Sequence, residues 1–198
     1  METDLILLEA ARKMDKEAIV KIFDRYATPL YNYSLRLCGD PLTADHIVGD
    51  VFAKLMEQLA AGNGPRYNLR SYLYETAYHI VIDESRSSNR RLPLDMLGAV
   101  KPDIRAGLLS MEDQIMFQKV MDIVQRDLTA DQRHVIILRF LEEFSMRETA
   151  AILGKDENHI KVIQSRALAK LRRIFESSEL RAAISIPRMS ELSKHLRI

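Results

Sequence analysis

The chain has 198 residues and a formal net charge of +1. With 47% hydrophobic and 29% charged residues it can bury a core, which excludes collagen-like, mucin-like and wholly disordered classes. The single cysteine excludes a disulfide framework, and the sequence has neither a basic signal segment nor an apolar run of about 20 residues that would span a membrane. We therefore expect a cytoplasmic protein with no membrane insertion of its own.

The first half of the chain has helical periodicity. Asp15 is a plausible N-cap for a helix that ends at residues 39–41, and a second helix is predicted from about Thr43. A loop rich in Gly and Pro separates it from a third helix, predicted from about Leu69 to Arg86.

The second half is predicted to form a separate helical domain. Residues 87–110 contain Pro and Gly without firm periodicity, which is typical of a domain boundary. Helical patterns then resume, with capping-box spacing at Thr129 and at Ser145. No alternating strand pattern of useful length occurs, so we predict an all-α protein with two small helical domains joined by a flexible linker.

Residues 146–165 have the spacing of a DNA-binding helix-turn-helix. Ala150 is small where two helices would cross, Gly154 lies where the turn needs a positive φ, and Ile160 and Ile163 would pack the second helix on the first. Residues 155–173 carry a net charge of +4, which favours contact with nucleic acid over the alternative, an α-hairpin with a solvated basic face. The candidate contacts on the outer face are Glu157, Asn158, His159, Lys161, Val162, Ser165, Arg166, Lys170, Arg172 and Arg173.

Aromatic and basic residues are interleaved around the third predicted helix. We expect that helix to bury Tyr72 and Leu73 and to leave Tyr74 and Tyr78 off the buried stripe. Unpaired bases stack on aromatic rings while cations hold the backbone, so the pattern indicates a platform for single-stranded nucleic acid. The alternative is that the tyrosines form the half-buried edge of a core. The candidate residues are Arg66, Tyr67, Arg70, Tyr74, Tyr78, His79, Arg86, Arg90 and Arg91.

Three segments, in this order and spacing, resemble a known family. Residues 44–57 (ADHIVGDVFAKLME) resemble region 2.2 of a sigma factor, residues 69–86 (LRSYLYETAYHIVIDESR) resemble regions 2.3 and 2.4, and residues 128–173 resemble region 4.2. The chain is therefore similar to the extracytoplasmic-function (ECF) group of bacterial RNA polymerase sigma factors, over about residues 5–91 and 111–175.

The resemblance implies a domain arrangement and a function. A region 2-like bundle of three or four helices would span residues 1–90, a linker 91–110, a region 4-like helix-turn-helix domain 111–175, and a C-terminal extension 176–198. The protein would be an alternative sigma factor that binds the −35 element as duplex and opens the −10 element for transcription initiation. The loop from Ala60 to Tyr67, which contains Asn63, would capture the opened −10 strand together with the third helix.

The resemblance also implies partners. The 2.2-like helix would dock on the clamp coiled coil of the largest subunit of core RNA polymerase, and the polymerase β-flap, promoter DNA and an anti-sigma factor would be further partners. His46 stands where the family usually has an acidic residue, and Gly49 stands where it usually has Gln. The tail 176–198 is expected to have a regulatory or packing role. The candidate docking residues are Asp45, His46, Gly49, Asp50, Phe52, Lys54 and Glu57.

Two other functions remain open on the sequence. One is a stand-alone helix-turn-helix repressor or activator, and the other is a helical adaptor that binds no DNA. The five histidines never pair at ligand spacing with cysteine or with each other, and no Walker loop or nucleophile elbow occurs. We therefore predict no metal site, no cofactor and no catalysis by the chain itself.

Overall fold

A computed structural model describes residues 3–87 and 111–177 of the chain. The chain divides into two compact units, Met1–Leu109 and Ser110–Ile198. The described residues form helices and contain no strand, which confirms the predicted all-α class. The linker predicted over 91–110 and nearly all of the extension predicted over 176–198 lie outside the described residues.

The described part of the first unit contains four helices, and capping residues mark the boundaries of two of them. Asp15 Oδ1 accepts a hydrogen bond from the Ala18 N–H at 3.0 Å, as predicted. Gly39 ends a helix at φ 73°, and Asp40 caps the next one by accepting from the Thr43 N–H at 2.8 Å. The predicted start at Thr43 is thus two residues late. The four helices are α1 Asp4–Ala11, α2 Lys16–Cys38, α3 Pro41–Ala60 and α4 Leu69–Ser87.

Helix α1 is not among the helices predicted from the sequence. Leu7 and Leu8 bury their side chains, while Asp4 accepts hydrogen bonds from Arg25 and from the Tyr26 hydroxyl of α2. Burial, followed by the bond to Asp4, raises the pKa of Tyr26 well above its ordinary value. Apolar packing and this hydrogen-bond cluster hold α1 against α2.

The core of the first unit lies where α4 packs against both α2 and α3. Leu30 of α2, Leu55 of α3 and Leu73 of α4 are all fully buried there. The predicted apolar stripe of α3 is buried except for Met56, which is half-buried. This packing leaves the polar face of α3 and the α3–α4 loop at the surface.

The described part of the second unit consists of a long helix, a helix with a π-helical end, and a helix-turn-helix. Its core joins Ile123 and Val124 of the first helix to Ala167 and Leu171 of the last. The elements are α5 Met111–Asp127, α6 Ala130–Ile136, a π-helical turn Ile137–Leu141, α7 Met146–Ile152 and α8 Glu157–Ser177.

The π-helical turn was not predicted. The Glu142 N–H donates to the Ile137 carbonyl five residues back at 3.0 Å, and the Phe144 N–H donates to the Leu138 carbonyl at 2.9 Å. Glu143, with φ 56°, then turns the chain so that Phe144 is buried. The segment from Ile137 to Phe144 is therefore a closed turn with its own hydrogen bonds.

Within residues 3–87 and 111–177, no helix combines the length and the apolarity needed to cross a membrane.

Candidate nucleic-acid interface

The helix-turn-helix has the geometry that its spacing predicts. Ser145 and Glu148 form a complete capping box at the start of α7. Gly154 has φ 61°, and the Lys155 N–H closes the turn on the Ala150 carbonyl at 2.9 Å. Ile160 of α8 is fully buried behind this turn. These contacts fix the angle at which α8 leaves α7.

The outer face of α8 is open to solvent along its whole length. Asp156 caps the helix by accepting from the His159 N–H at 2.9 Å. Nine of the ten residues predicted to contact duplex DNA are exposed: Glu157, Asn158, His159, Lys161, Val162, Ser165, Arg166, Arg172 and Arg173.

Lys170 departs from the predicted phosphate contacts. Its side chain is half-buried, and its Nζ donates to the backbone carbonyl of Asp127 at the end of α5. The ammonium stabilises a helix C-terminus, where carbonyl groups lack intrahelical partners. The contact of Lys170 with a DNA phosphate therefore stays a prediction, and in this structure its ammonium has a partner within the chain.

Arg139 supports α8 from behind and was not assigned a binding or positioning role in the sequence. Its Nε donates to Gln164 Oε1 on α8 at 3.2 Å, and its Nη1 donates to the Phe144 carbonyl. Lys155 adds an ion pair to Asp131 of α6 at 3.3 Å. The outer face of α8 is thus held in place by polar contacts as well as by the apolar core. These residues are distant in the sequence and come together only in the folded structure.

The second surface is the loop between α3 and α4. Asn63, Arg66 and Tyr67 are all exposed, and Tyr67 exposes 73% of its surface. Arg70, at the start of α4, is half-buried with its guanidinium carbon 5.7 Å from the centre of the Tyr74 ring. The loop therefore presents an aromatic ring and cationic and amide groups to solvent.

Tyr74 does not belong to that surface. It exposes only 1% of its surface, and its ring packs at a tilt against Tyr33 with centroids 5.1 Å apart. The sequence predicts Tyr74 outside the buried stripe and Tyr72 inside it, whereas Tyr72 is half-buried. The reason is that α4 packs against both α2 and α3, so its buried face is wider than one stripe.

Tyr78 and His79 form the rest of the described platform. The two rings lie 5.3 Å apart, with Tyr78 half-buried and His79 exposed. The side chain of Arg86 and the whole of Arg90 and Arg91 lie outside the described residues. The described platform therefore consists of the α3–α4 loop and the outer edge of α4.

The third surface is the polar face of α3. Six of its seven predicted docking residues are exposed: Asp45, His46, Gly49, Asp50, Lys54 and Glu57. The seventh, Phe52, is only 9% exposed and packs against Phe23 of α2, with ring centroids 4.8 Å apart. Phe52 thus belongs to the α2–α3 packing and also lines the groove between these helices, and its contact with a partner stays a prediction.

Phe23 is the aromatic residue that α2 and α3 leave at the surface, with 46% of its area exposed. It borders two shallow pockets between these helices. One, of about 320 Å³, includes Gly49, and the other, of about 370 Å³, includes Val20 and Met56. The sequence places Phe23 in the apolar repeat of α2, and only the packing shows that it lines a surface groove.

His134 is a buried titratable group near the helix-turn-helix. His134 of α6 is 2% exposed, and burial, reinforced by the positive charge of Arg133, lowers its pKa to about 4. Its ring is therefore neutral at neutral pH. Among the described residues there is no cluster of three or more His, Cys, Asp or Glu side chains that could hold a metal ion.

Two family models match the chain. Sigma-70 region 2 matches residues 22–91, and Sigma-70, region 4 matches residues 126–173, which together amount to more than half of the chain. The first match contains the α3 face and the α3–α4 loop, and the second contains the helix-turn-helix.

Two curated relatives are ECF RNA polymerase sigma factors. BldN of Streptomyces coelicolor is 28% identical over 171 residues, covering 85% of this chain and 64% of BldN. SigX of Bacillus subtilis is 28% identical over 166 residues, covering 81% of this chain and 85% of SigX. The chain thus spans slightly less than two thirds of the length of BldN.

Two solved structures share the fold. CnrH, in complex with the cytosolic domain of CnrY, has a TM-score of 0.65 and 20% identity, covering 90% of this chain and 100% of that chain. The sigma factor RpoE from Bartonella quintana, in complex with the anti-sigma factor NepR, has a TM-score of 0.61 and 23% identity, covering 80% and 97%. The family models, the relatives and the fold agree: the chain belongs to the sigma-70 family of RNA polymerase sigma factors, in the extracytoplasmic-function group.

Proposed function

We propose that the chain is an alternative sigma factor that gives core RNA polymerase promoter specificity. The observation that carries the proposal is the exposed, capped face of α8 in a chain that also has a region 2 unit. A stand-alone repressor needs the helix-turn-helix but gives no account of that unit, and none of the comparisons supports it.

Helix α8 binds the −35 element as duplex. Its N-terminal residues enter the major groove, where Asn158 pairs with adenine and Lys161 contacts guanine or phosphate. Arg172 and Arg173, at the other end of α8, contact backbone phosphates and so contribute affinity without base specificity.

The α3–α4 loop and the outer edge of α4 hold the opened −10 strand. Tyr67 supplies an exposed ring for stacking, and Arg66 supplies a cation for the backbone. Asn63 offers an amide that hydrogen-bonds a base edge, and His79 extends the platform along α4. Tyr74 takes no part because it is buried.

The exposed face of α3 docks on the clamp coiled coil of the largest polymerase subunit. Asp45, Asp50 and Glu57 give this face its acidic character, and Lys54 adds one cation. The second unit contacts the β-flap. Charged residues around such a surface speed association and select the partner. The adjoining apolar groove between α2 and α3 supplies the area that binding buries.

An anti-sigma factor holds the free chain inactive. Support comes from the two solved structures that share the fold, since RpoE was crystallised with the anti-sigma factor NepR and CnrH with a domain of CnrY. The α2–α3 groove around Phe23 is a surface that a helical inhibitor would cover.

The cellular compartment follows from the DNA and the polymerase that the protein would bind. Sigma factors are non-catalytic DNA-recognition proteins, and bacterial DNA and polymerase lie in the cytoplasm. We assign the chain to that compartment and to no reaction of its own.

The test is reconstitution with core polymerase. We expect saturable binding and discrete run-off start sites on a genomic promoter library. Asn158→Ala and Lys161→Ala should each lower transcription about tenfold or more while polymerase binding is unchanged, the size expected for one base contact. Lys119→Ala, which removes an exposed cation of α5, is the matched control. Tight duplex binding without polymerase binding would reject the proposal in favour of a repressor.

A further inference from the structure

Contacts at two separate points hold the α3–α4 loop, residues 61–68, in place. Its first half folds back on α3, since the Gly62 N–H donates to the Leu59 carbonyl at 3.0 Å and the Asn63 N–H to the Gln58 carbonyl at 2.9 Å. Gly64 is buried against the same helix, because a Cβ there would lie 2.7 Å from Leu59 Cδ2 and 3.3 Å from Leu59 Cα.

The second point comes from a distant part of the chain. Arg12 Nη1 donates to the carbonyl of Gly64 at 2.7 Å and to that of Pro65 at 3.3 Å. Arg12 lies directly after α1, which Leu7, Leu8 and the Asp4 hydrogen bonds hold on α2. The guanidinium is thus fixed by a packed helix.

We infer that Arg12 is a positioning residue that fixes the loop in the conformation that captures the unpaired −10 bases, an inference that rests on the proposed function. Asn63, Arg66 and Tyr67 lie on either side of the two carbonyls that Arg12 binds. A loop ordered in advance loses less conformational entropy when it binds a strand, and it discriminates better between bases. The region 2 match begins at residue 22, so Arg12 lies outside it.

Three variants isolate this role. Arg12→Ala removes both hydrogen bonds. Arg12→Lys keeps the charge and a donor but lacks the planar fork of donors, so it restores part of the effect. Lys13→Ala is the matched control, because it removes an exposed cation at the neighbouring position.

The readout is base discrimination by the holoenzyme made with the full chain. Transcription is measured on one promoter and on versions with single −10 substitutions, and each ratio gives a discrimination factor. We expect Arg12→Ala to lower this factor about tenfold, the size expected for losing a charged hydrogen bond, with core polymerase affinity close to that of Lys13→Ala. Backbone amides of residues 61–68 should exchange hydrogen faster in Arg12→Ala.

Failure of the inference and failure of the proposed function have different signatures. If the unmodified chain directs initiation and Arg12→Ala discriminates as well as Lys13→Ala does, the positioning role is wrong while the proposed function stands. If Arg12→Ala lowers transcription from all promoters equally, Arg12 has only a structural role and the inference is again overturned. If the unmodified chain directs no initiation, the proposed function fails and the inference falls with it.

Discussion

Tyr74 and Tyr67 lie in different environments, so we expect the first to contribute to stability and the second to function. Tyr74 is buried against Tyr33, whereas Tyr67 exposes most of its surface on the α3–α4 loop. We expect Tyr74→Ala to lower the free energy of unfolding of the first unit by about 3–5 kcal/mol, because it leaves a large cavity. Tyr67→Ala should change it by less than about 0.5 kcal/mol, because an exposed side chain loses little packing. Urea unfolding followed by circular dichroism checks both values.

Transcription assays test Tyr67 and Tyr74 for an effect on function rather than on stability. Tyr67→Ala should slow promoter opening without unfolding the chain, since it removes an exposed stacking surface. Tyr74→Phe, which keeps the ring pair, is the control for Tyr74→Ala and should initiate normally. A Tyr74→Ala variant as stable as the unmodified chain would contradict the burial assigned to this ring.

His134 makes the second unit sensitive to acid. Its folded pKa of about 4 lies below the ordinary histidine pKa of 6.5, so the unfolded chain binds a proton first as the pH falls. The stabilisation is complete above pH 6.5 and decreases between pH 6.5 and 4. We expect the unfolding free energy to fall by about 2 kcal/mol between pH 7.5 and 5 from this group.

The measurement is chemical unfolding of the second unit at a series of pH values. His134→Gln should flatten the curve in this window, because Gln carries no proton there. If the unfolding free energy of His134→Gln falls with pH as steeply as that of the unmodified chain, other groups cause the acid sensitivity.

At the scale of the element, the caps set where helices begin. Ser145 Oγ accepts from the Glu148 N–H at 3.1 Å, and Glu148 Oε2 accepts from the Ser145 N–H at 2.7 Å. Ser145→Ala should destabilise the second unit by about 1 kcal/mol and weaken −35 binding, because α7 supports the angle of α8. Thermal unfolding of Ser145→Ala beside the unmodified chain measures the difference.

The elements that could be predicted are those specified by neighbouring residues. Asp15, Thr129 and Ser145 were predicted as caps and act as caps, because a capping side chain bonds a backbone N–H three residues away. The exposed face of α8 was likewise predictable, since the spacing from Ala150 to Ile163 fixes which side is buried.

What could not be predicted depends on distant contacts. Helix α1 is short, and it exposes Leu5 and Ile6 beside two buried leucines, so its sequence has no one-sided pattern. The burial of Tyr74 requires α4 to touch two helices at once, and the bond from Arg12 to the Gly64 carbonyl spans 52 residues of sequence. Periodicity within a single helix contains none of this information.

At the scale of the whole molecule, each unit has a core of its own. Leu30, Leu55 and Leu73 close the first, while Ile123 and Leu171 belong to the second. We expect fragments 1–90 and 111–177 to fold separately, because a domain with its own core is autonomous. Each should give a helical circular dichroism spectrum and a cooperative thermal transition. A fragment that stays unfolded alone and folds only with the other would contradict the proposed division.

The π-helical turn Ile137–Leu141 makes the orientation of α8 depend on the number of residues in the turn. Its hydrogen bond spans five residues instead of four, so the segment holds one residue more than an α-helix would. One residue corresponds to about 100° of rotation around a helix axis. Deleting Leu138 would rotate Arg139 away from the Phe144 carbonyl and from Gln164 of α8. The orientation of α8, the helix that we propose binds duplex DNA, therefore depends on the number of residues in this turn.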